Sequence, residues 1–369
     1  MEHKAIRVIV SGGGTGGHIF PAISIANCLM KANPNNKILF VGAEGKMEMD
    51  KVPAAGYDIV GLKIAGLQRQ LSMRNVIKNI ALPFKILRSV HDAGRIIEDF
   101  MPDIVVGVGG FASAPLLWKA QCKRVPTLIQ EQNGFAGLTN KILGRRAGRI
   151  CVAYEGMERF FPADKIVLTG NPIRPEIAAV TKETKTDGKK HILVIGGSLG
   201  CNTLNLAMRK WIENGCPGGE DVEVVWQCGK YYKADTDLFM ASHLECNNVK
   251  HFAFIARMDL AYAMADVVIS RSGASSISEI CAAHKASIFV PSPNVAEDHQ
   301  THNAMALVNK GAGLMVRDCD APLSLMPLAM ELVHDSDRIR SIEQNAGALA
   351  RTEAASEIVD EIYKLTEDV

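Results

Sequence analysis

Nowhere does the chain hold an uninterrupted apolar stretch of about 18 residues, so the sequence offers no helix that would span a bilayer. Paired metal ligands are missing too. The nine cysteines form no CxxC pair, and no Cys/His cluster has zinc spacing. With no apolar export segment after Met-Glu-His-Lys, they read as reduced thiols of a cytoplasmic protein. An excess of either charge is also absent: 41 Lys and Arg face 40 Asp and Glu, a formal net charge of +1. That balance gives no electrostatic case for nucleic acid. No repeat and no low-complexity tract appears. No glycine is followed at the right offset by Lys and Ser/Thr, which excludes a P-loop.

What is present is alternation. At 369 residues, 47% of them hydrophobic, the chain has room for two domains. Short apolar runs at 6–10, 37–41, 104–108, 127–130 and 149–152 read as strands of a first half. Runs at 192–195, 223–227, 249–252, 267–270, 287–290 and 313–316 read as strands of a second. Helical patterns separate them, for example at 21–31, 114–122, 203–213, 275–283 and 300–310. This order predicts an α/β protein made of two doubly wound parallel sheets, with helices on both faces. Ten polar residues at 181–190, four of them lysines, read as a linker. Each half opens with a strand that runs into a glycine turn and then a helix.

The first such turn is Gly12-Gly13-Gly14-Thr15-Gly16-Gly17-His18. Without Cβ atoms its backbone can reach positive φ and approach a ligand closely. The helix after it offers unpaired N–H groups to an anion, and His18 can move protons near neutral pH. Tight turns also use glycine for packing alone. A dinucleotide site would further require an acid at the end of the second strand. Here that strand ends in Gly42-Ala43, and Glu44 falls beyond it.

Separated motifs then narrow the reading. They are Gly13-Gly14-Thr15-Gly16-Gly17-His18, Gly109-Gly110-Phe111-Ala112-Ser113, and Glu131-Gln132-Asn133-Gly134-Phe135-Ala136-Gly137-Leu138-Thr139-Asn140. Gly170-Asn171-Pro172-Ile173-Arg174, Gly196-Gly197-Ser198, Arg271-Ser272-Gly273-Ala274 with Ser278-Glu279, and Asp298-His299-Gln300 complete the set. In these motifs and their order the chain resembles the MurG family of GT-B glycosyltransferases. That family transfers GlcNAc from UDP-GlcNAc to undecaprenyl-diphosphate-MurNAc-pentapeptide, turning lipid I into lipid II in peptidoglycan synthesis. Leu199, where glutamine is usual, and Ala114, where glycine is common, depart from the pattern.

The resemblance implies two Rossmann-like domains facing a central cleft. An acceptor and membrane-associated domain would span 1–172 and a UDP-GlcNAc domain 173–350, with a helix at 351–369 packing back on the first. The donor segment runs through Ser272, Gly273, Ala274, Ser275, Ser276, Ile277, Ser278 and Glu279. Helix-start amides and hydroxyls suit a diphosphate, and Glu279 can accept two ribose hydroxyls. A plain serine cap with a solvated glutamate is the blander alternative. By resemblance, the backbone at Ile255 frames the uracil, Arg174 and Ser198 contact the nucleotide, and Gln300 contacts the sugar. Thr15, Gly16, Gly17 and Asn133 fall on the acceptor side, although Asn133 could equally cap its own turn. Inverting transfer needs a base for the attacking 4-hydroxyl. His18 is the first candidate and Glu131 the second. No cofactor and no bound metal is expected, since a helix dipole can stabilise the diphosphate; stimulation by Mg²⁺ is compatible with that. The strings Asp235-Thr-Asp237, Asp318-Cys-Asp320 and Asp335-Ser-Asp337 are short enough to arise by chance.

A lipid-linked acceptor requires contact with an anionic inner-leaflet surface. Between Gly61 and Ile97 stand seven basic residues and the single acid Asp92, interleaved with apolar side chains. Lys78, Ile80, Phe84 and Lys85 are the expected contacts, with Trp118 and Lys141 joining the same face. The expected place is the cytoplasmic face of the bacterial plasma membrane, as a peripheral protein, with other cell-wall synthesis and division proteins as candidate partners. Rival readings are another UDP-sugar enzyme of this fold, such as a glycolipid synthase or a 2-epimerase, and a non-catalytic sugar-nucleotide scaffold.

Overall fold

A computed structural model describes residues 3–64, 82–181 and 188–367. The chain divides into two compact units. One is Met1–Ile173 together with Thr352–Val369, and the other is Arg174–Arg351.

The N-terminal unit holds strands β1 (Arg7–Ser11), β2 (Lys37–Ala43), β3 (Asp58–Leu62), β4 (Ile104–Gly107), β5 (Thr127–Glu131), β6 (Arg149–Val152) and β7 (Ile166–Leu168). They form one sheet in the order β3-β2-β1-β4-β5-β6-β7, every pair parallel. Val8, Ile9 and Val10 of β1 and Ile104, Val105 and Val106 of β4 are all fully buried. That is the composition a sheet covered on both faces demands. The order reverses between β1 and β4, so the turns leaving these two strands open a crevice at the carboxyl edge.

The helix Ala354–Glu367 completes this unit. Its Ile358, Val359, Ile362 and Tyr363 share one core with Val8, Ile25 and Leu29. Each such burial contributes about 1.5–3 kcal/mol. Asn36 donates to the Tyr363 hydroxyl at 2.8 Å, and Arg149 pairs with Glu361.

The C-terminal unit holds β8 (Lys190–Ile195), β9 (Val222–Gln227), β10 (Val249–Phe252), β11 (Val267–Ser270), β12 (Ala286–Phe289) and β13 (Leu314–Met315). Its order is β10-β9-β8-β11-β12-β13, again all parallel. Here the switch lies between β8 and β11. The turns leaving them are 196–200 and 271–273. All nine cysteines are free thiols.

Two strands lie outside the sequence expectation, β3 and β7. They are the two edges of the first sheet. An edge strand is only half covered, so β3 alternates exposed with partly buried residues up to the buried Leu62, and β7 has no fully buried one. The apolar run of β7 is only three residues long, and that of β3 is broken by Gly61. Pro83 lies within the helix Leu82–Phe100.

Candidate active site

In the N-terminal unit the site grows from the turn after β1. Thr15 is extended, with φ −145° and ψ 154°, and the helix Gly16–Ala32 starts immediately behind it. Gly14 sits at φ +86°, which an L side chain rarely adopts. His18, in the first turn of that helix, folds its ring back on the loop. Its Nδ1 lies 3.2 Å from the Gly13 carbonyl oxygen and 3.1 Å from the Thr15 hydroxyl. A carbonyl oxygen can only accept, so Nδ1 carries the proton and, in the neutral ring, Nε2 carries the lone pair. The turn after β4 presses on the same place. A Cβ on Gly109 would lie 3.0 Å from the His18 ring, and one on Gly110 only 2.5 Å from the Gly13 oxygen.

Glu131, at the end of β5, has another task than the one expected of it. It is 2% exposed, and both its oxygens are occupied. Oε1 accepts from the Asn133 N–H and Nδ2, and Oε2 from the Gly137 N–H and Asn140 Nδ2, at 2.8–3.3 Å. Burial pushes its carboxyl above the usual range, against the pull of the donors from Asn140, Asn133 and Gly137. A carboxylate whose acceptor sites are filled by its own loop is a strut, poorly placed to take a substrate proton. Asn133 is thereby tied to its own turn. Gln132, beside it, donates at 2.6 Å to the Val108 carbonyl. Its buried Oε1 has no hydrogen-bond partner among the described residues.

The carboxyl edge of the C-terminal unit is built differently. The helix Ala274–Ala282 starts behind Gly273, which has no side chain with which to cap it. Just before and inside its first turn, the Ser272 and Ser275 hydroxyl oxygens are buried without a partner among the described residues. Orphan donors at a helix start, with hydroxyls beside them, are a site waiting for an anion. Ser276 stands next to them, whereas Ile277 turns into the core and Ser278 bonds back to the Ala274 carbonyl.

Glu279, one turn on, receives Arg174 in a fork: Nε to Oε1 at 2.9 Å and a terminal nitrogen to Oε2 at 3.0 Å. Each oxygen keeps acceptor capacity beyond that pair. Burial, and then the Glu279 charge, pushes the Tyr262 phenol well above its ordinary range. In the neighbouring turn Ser198 is exposed. Gln227 bridges from there, donating to the Gly197 carbonyl and accepting from the Ile255 N–H, both at 2.9 Å. The Ile255 N–H is therefore committed, while its carbonyl faces no such claim among these bonds. Gln300 Oε1 accepts from the Ser292 N–H at 2.9 Å, which fixes its amide.

The Asp-x-Asp strings have local partners. Asp318 pairs with Arg271, Asp320 with Arg317, and Asp237 with Lys233 and His251. Asp335 caps the helix Ser336–Ala348 and Asp337 pairs with Arg340. Of the expected membrane contacts, Lys78 and Ile80 lie outside the described residues, as do the side chains of Phe84 and Lys85. Trp118 is 44% exposed, with Leu87, Leu138 and Ile142 exposed in the same unit. Arg146 sits over the Trp118 ring, and Lys141 over those of Phe135 and Phe160.

Three residues that the sequence did not single out take part here: Gln132, Gln227 and Glu48. Glu48 is fully buried under the first glycine turn. Gln132 lies inside the motif Glu131–Asn140, whereas Gln227 and Glu48 have no local signal, because each acts across the fold from an ordinary-looking segment.

The chain matches the glycosyltransferase family 28 N-terminal domain over residues 8–152 and the family's C-terminal domain over 191–362. The chain belongs to glycosyltransferase family 28. A family 28 relative from Parabacteroides distasonis is 50% identical over 98% of this chain and 99% of its own. One from Bacteroides thetaiotaomicron is 48% identical over 99% of each. Both are named UDP-N-acetylglucosamine–N-acetylmuramyl-(pentapeptide) pyrophosphoryl-undecaprenol N-acetylglucosamine transferase. The crystal structure of Acinetobacter baumannii MurG superposes with a TM-score of 0.81 at 29% identity, covering 97% of this chain and 99% of that one. The two parallel-sheet units are thus the GT-B architecture of this family.

Proposed function

We infer that the chain transfers GlcNAc from UDP-GlcNAc to the 4-hydroxyl of MurNAc in undecaprenyl-diphosphate-MurNAc-pentapeptide, with inversion at the anomeric carbon. The observation that carries this reading is the uncapped helix start with the partnerless Ser272 and Ser275 hydroxyls, on a chain nearly half identical to transferases so named. The new bond forms between the MurNAc oxygen and the anomeric carbon as the bond from that carbon to UDP breaks. The helix dipole and the two serines stabilise the charge that gathers on the departing diphosphate. Glu279 and Arg174 hold the nucleotide, the Ile255 carbonyl reads the uracil, and Ser198 and Gln300 complete the donor contacts. His18 takes the hydroxyl proton on Nε2, with the Thr15-Gly16-Gly17 turn and Asn133 on the acceptor side.

The exposed Trp118, Leu138 and Ile142, beside the basic Lys141, Arg145 and Arg146, suit the headgroup region of an anionic bilayer. No helix among the described residues is long and apolar enough to cross a membrane. We propose a peripheral position at the cytoplasmic membrane surface, supported by that exposed apolar and basic patch and by the lipid-linked acceptor. Incubation of UDP-GlcNAc with lipid I, with UDP-glucose as control, tests the reaction. UDP release and lipid II with the first donor alone is the expected result; no transfer with either would return the chain to a binding role.

A further inference from the structure

The Glu48 carboxylate reaches the underside of the glycine turn from the helix Glu48–Ala54. Its Oε2 accepts the Gly14 N–H and its Oε1 the Ala43 N–H, each at 3.0 Å. Two glycines make the space it fills. A Cβ on Gly13 would stand 2.1 Å from Oε1, and one on Gly42 only 2.6 Å from Cγ. The Gly14 N–H belongs to the same peptide group as the Gly13 carbonyl, and that carbonyl accepts from His18 Nδ1. A single planar amide therefore stands between carboxylate and imidazole, held at its N–H end by one and at its oxygen by the other.

An amide transmits polarisation because its nitrogen lone pair is delocalised onto its oxygen. A charge-assisted bond at the N–H end shifts electron density to the oxygen, making it a stronger acceptor. The gain is greatest when the donor becomes an imidazolium. We propose that Glu48 is a positioning residue that acts through the Gly13–Gly14 peptide, holding His18 in the Nδ1–H tautomer and strengthening Nε2 as a proton acceptor. The arrangement does what an aspartate does for a catalytic histidine, with a peptide group inserted between them. The turn after β4 meets the ring with Gly109, which has no side chain, and the turn after β5 brings the neutral Gln132. The acid of that turn, Glu131, points into its own loop. The Thr15 hydroxyl also meets Nδ1, at 3.1 Å.

The kinetic arm of the test rests on the transferase reading and the spectroscopic arm does not. In Glu48→Gln, kcat should fall by about 10- to 100-fold, the range for losing an outer partner of a functional histidine. KM for UDP-GlcNAc should stay unchanged. Without the carboxylate the imidazolium is less favoured, so the acidic limb of the pH–rate profile should move to lower pH. Protein labelled with ¹⁵N in histidine and glycine reads the coupling in the wild type, whether or not the variant folds. The His18 proton should reside on Nδ1, and the Gly14 amide proton should shift downfield as His18 is protonated. A proton on Nε2, or a Gly14 amide indifferent to His18 titration, overturns the proposal, as does a folded Glu48→Gln enzyme with unaltered kcat and pH limb. If the amide responds as stated and His18→Ala keeps full turnover, the coupling stands and the assignment of His18 as base falls instead.

Discussion

Each unit sets a strand-to-helix turn at its switch point, the glycine turn after β1 in one and Arg271-Ser272-Gly273 after β11 in the other, and the two have opposite electrostatics. In the N-terminal unit the turn already holds an acid: Glu48 occupies the Gly14 N–H from below, and Gly13 leaves room for its carboxylate. In the C-terminal unit the turn before Ala274 contains no such group; its buried serine hydroxyls are left without partners among the described residues. One loop commits its Gly14 N–H to an internal carboxylate and its Gly13 carbonyl to aiming a histidine. The other is incomplete and therefore ready for a phosphate. A glycine-rich turn on its own does not distinguish a site for chemistry from a site for an anion; the fate of its N–H groups does.

If that division of labour is right, the largest effect should come from the first turn and should spare binding. His18→Ala is expected to lower turnover by about 10²- to 10⁴-fold, the contribution of a general base, with UDP affinity by calorimetry unchanged. A parallel loss of UDP affinity would erase the contrast between the units. Next comes Glu279→Ala, which removes an acceptor from the nucleotide and leaves Arg174 without its fork. UDP binding should weaken by roughly 1.5–3 kcal/mol. Unchanged affinity in a folded variant would confine Glu279 to holding Arg174.

Ser272→Ala is the sharper and smaller test. Its hydroxyl bonds to nothing among the described residues, so the melting temperature should hold or rise, while UDP binding drops by roughly 0.5–1.5 kcal/mol. A fall in stability with no change in binding would make this serine structural. The smallest effect concerns Glu131. Burial raises its folded value, so its contribution to stability is present below the unfolded carboxylate value and is lost as pH rises through the folded one. Urea unfolding between about pH 4 and 7 should show that slope in the wild type and a flatter one in Glu131→Gln. Equal slopes would mean that the four donors outweigh burial.

Much of this was readable in the chain. Runs such as Val8–Val10 and Val267–Ile269 are continuous apolar stretches because both faces of a parallel sheet are covered. The turns at the switch points announced themselves by glycine. What escaped has a common physical cause. Edge strands β3 and β7 offer too short an apolar stretch, Ile59-Val60 and Ile166–Leu168, to stand out. Glu48 sits in Lys46-Met47-Glu48-Met49-Asp50-Lys51, which reads as a solvated helix face, yet its carboxylate is fully buried. Glu131 was visible as an acid in a motif, but only its four donors show that it organises the loop. Side-chain roles fixed by distant partners leave no local trace.

The helix Ala354–Glu367 has a consequence in time rather than in space. It supplies Ile358, Val359, Ile362 and Tyr363 to a core otherwise made from residues before 174, with all of the C-terminal unit translated in between. On the ribosome the C-terminal unit can therefore close on itself while the earlier one still exposes the apolar seat on Ile25 and Leu29 that this helix will cover. The part synthesised first is the part finished last. A premature stop just past residue 351 would leave the donor half intact and the half bearing His18 open, a species prone to aggregate rather than one merely inactive.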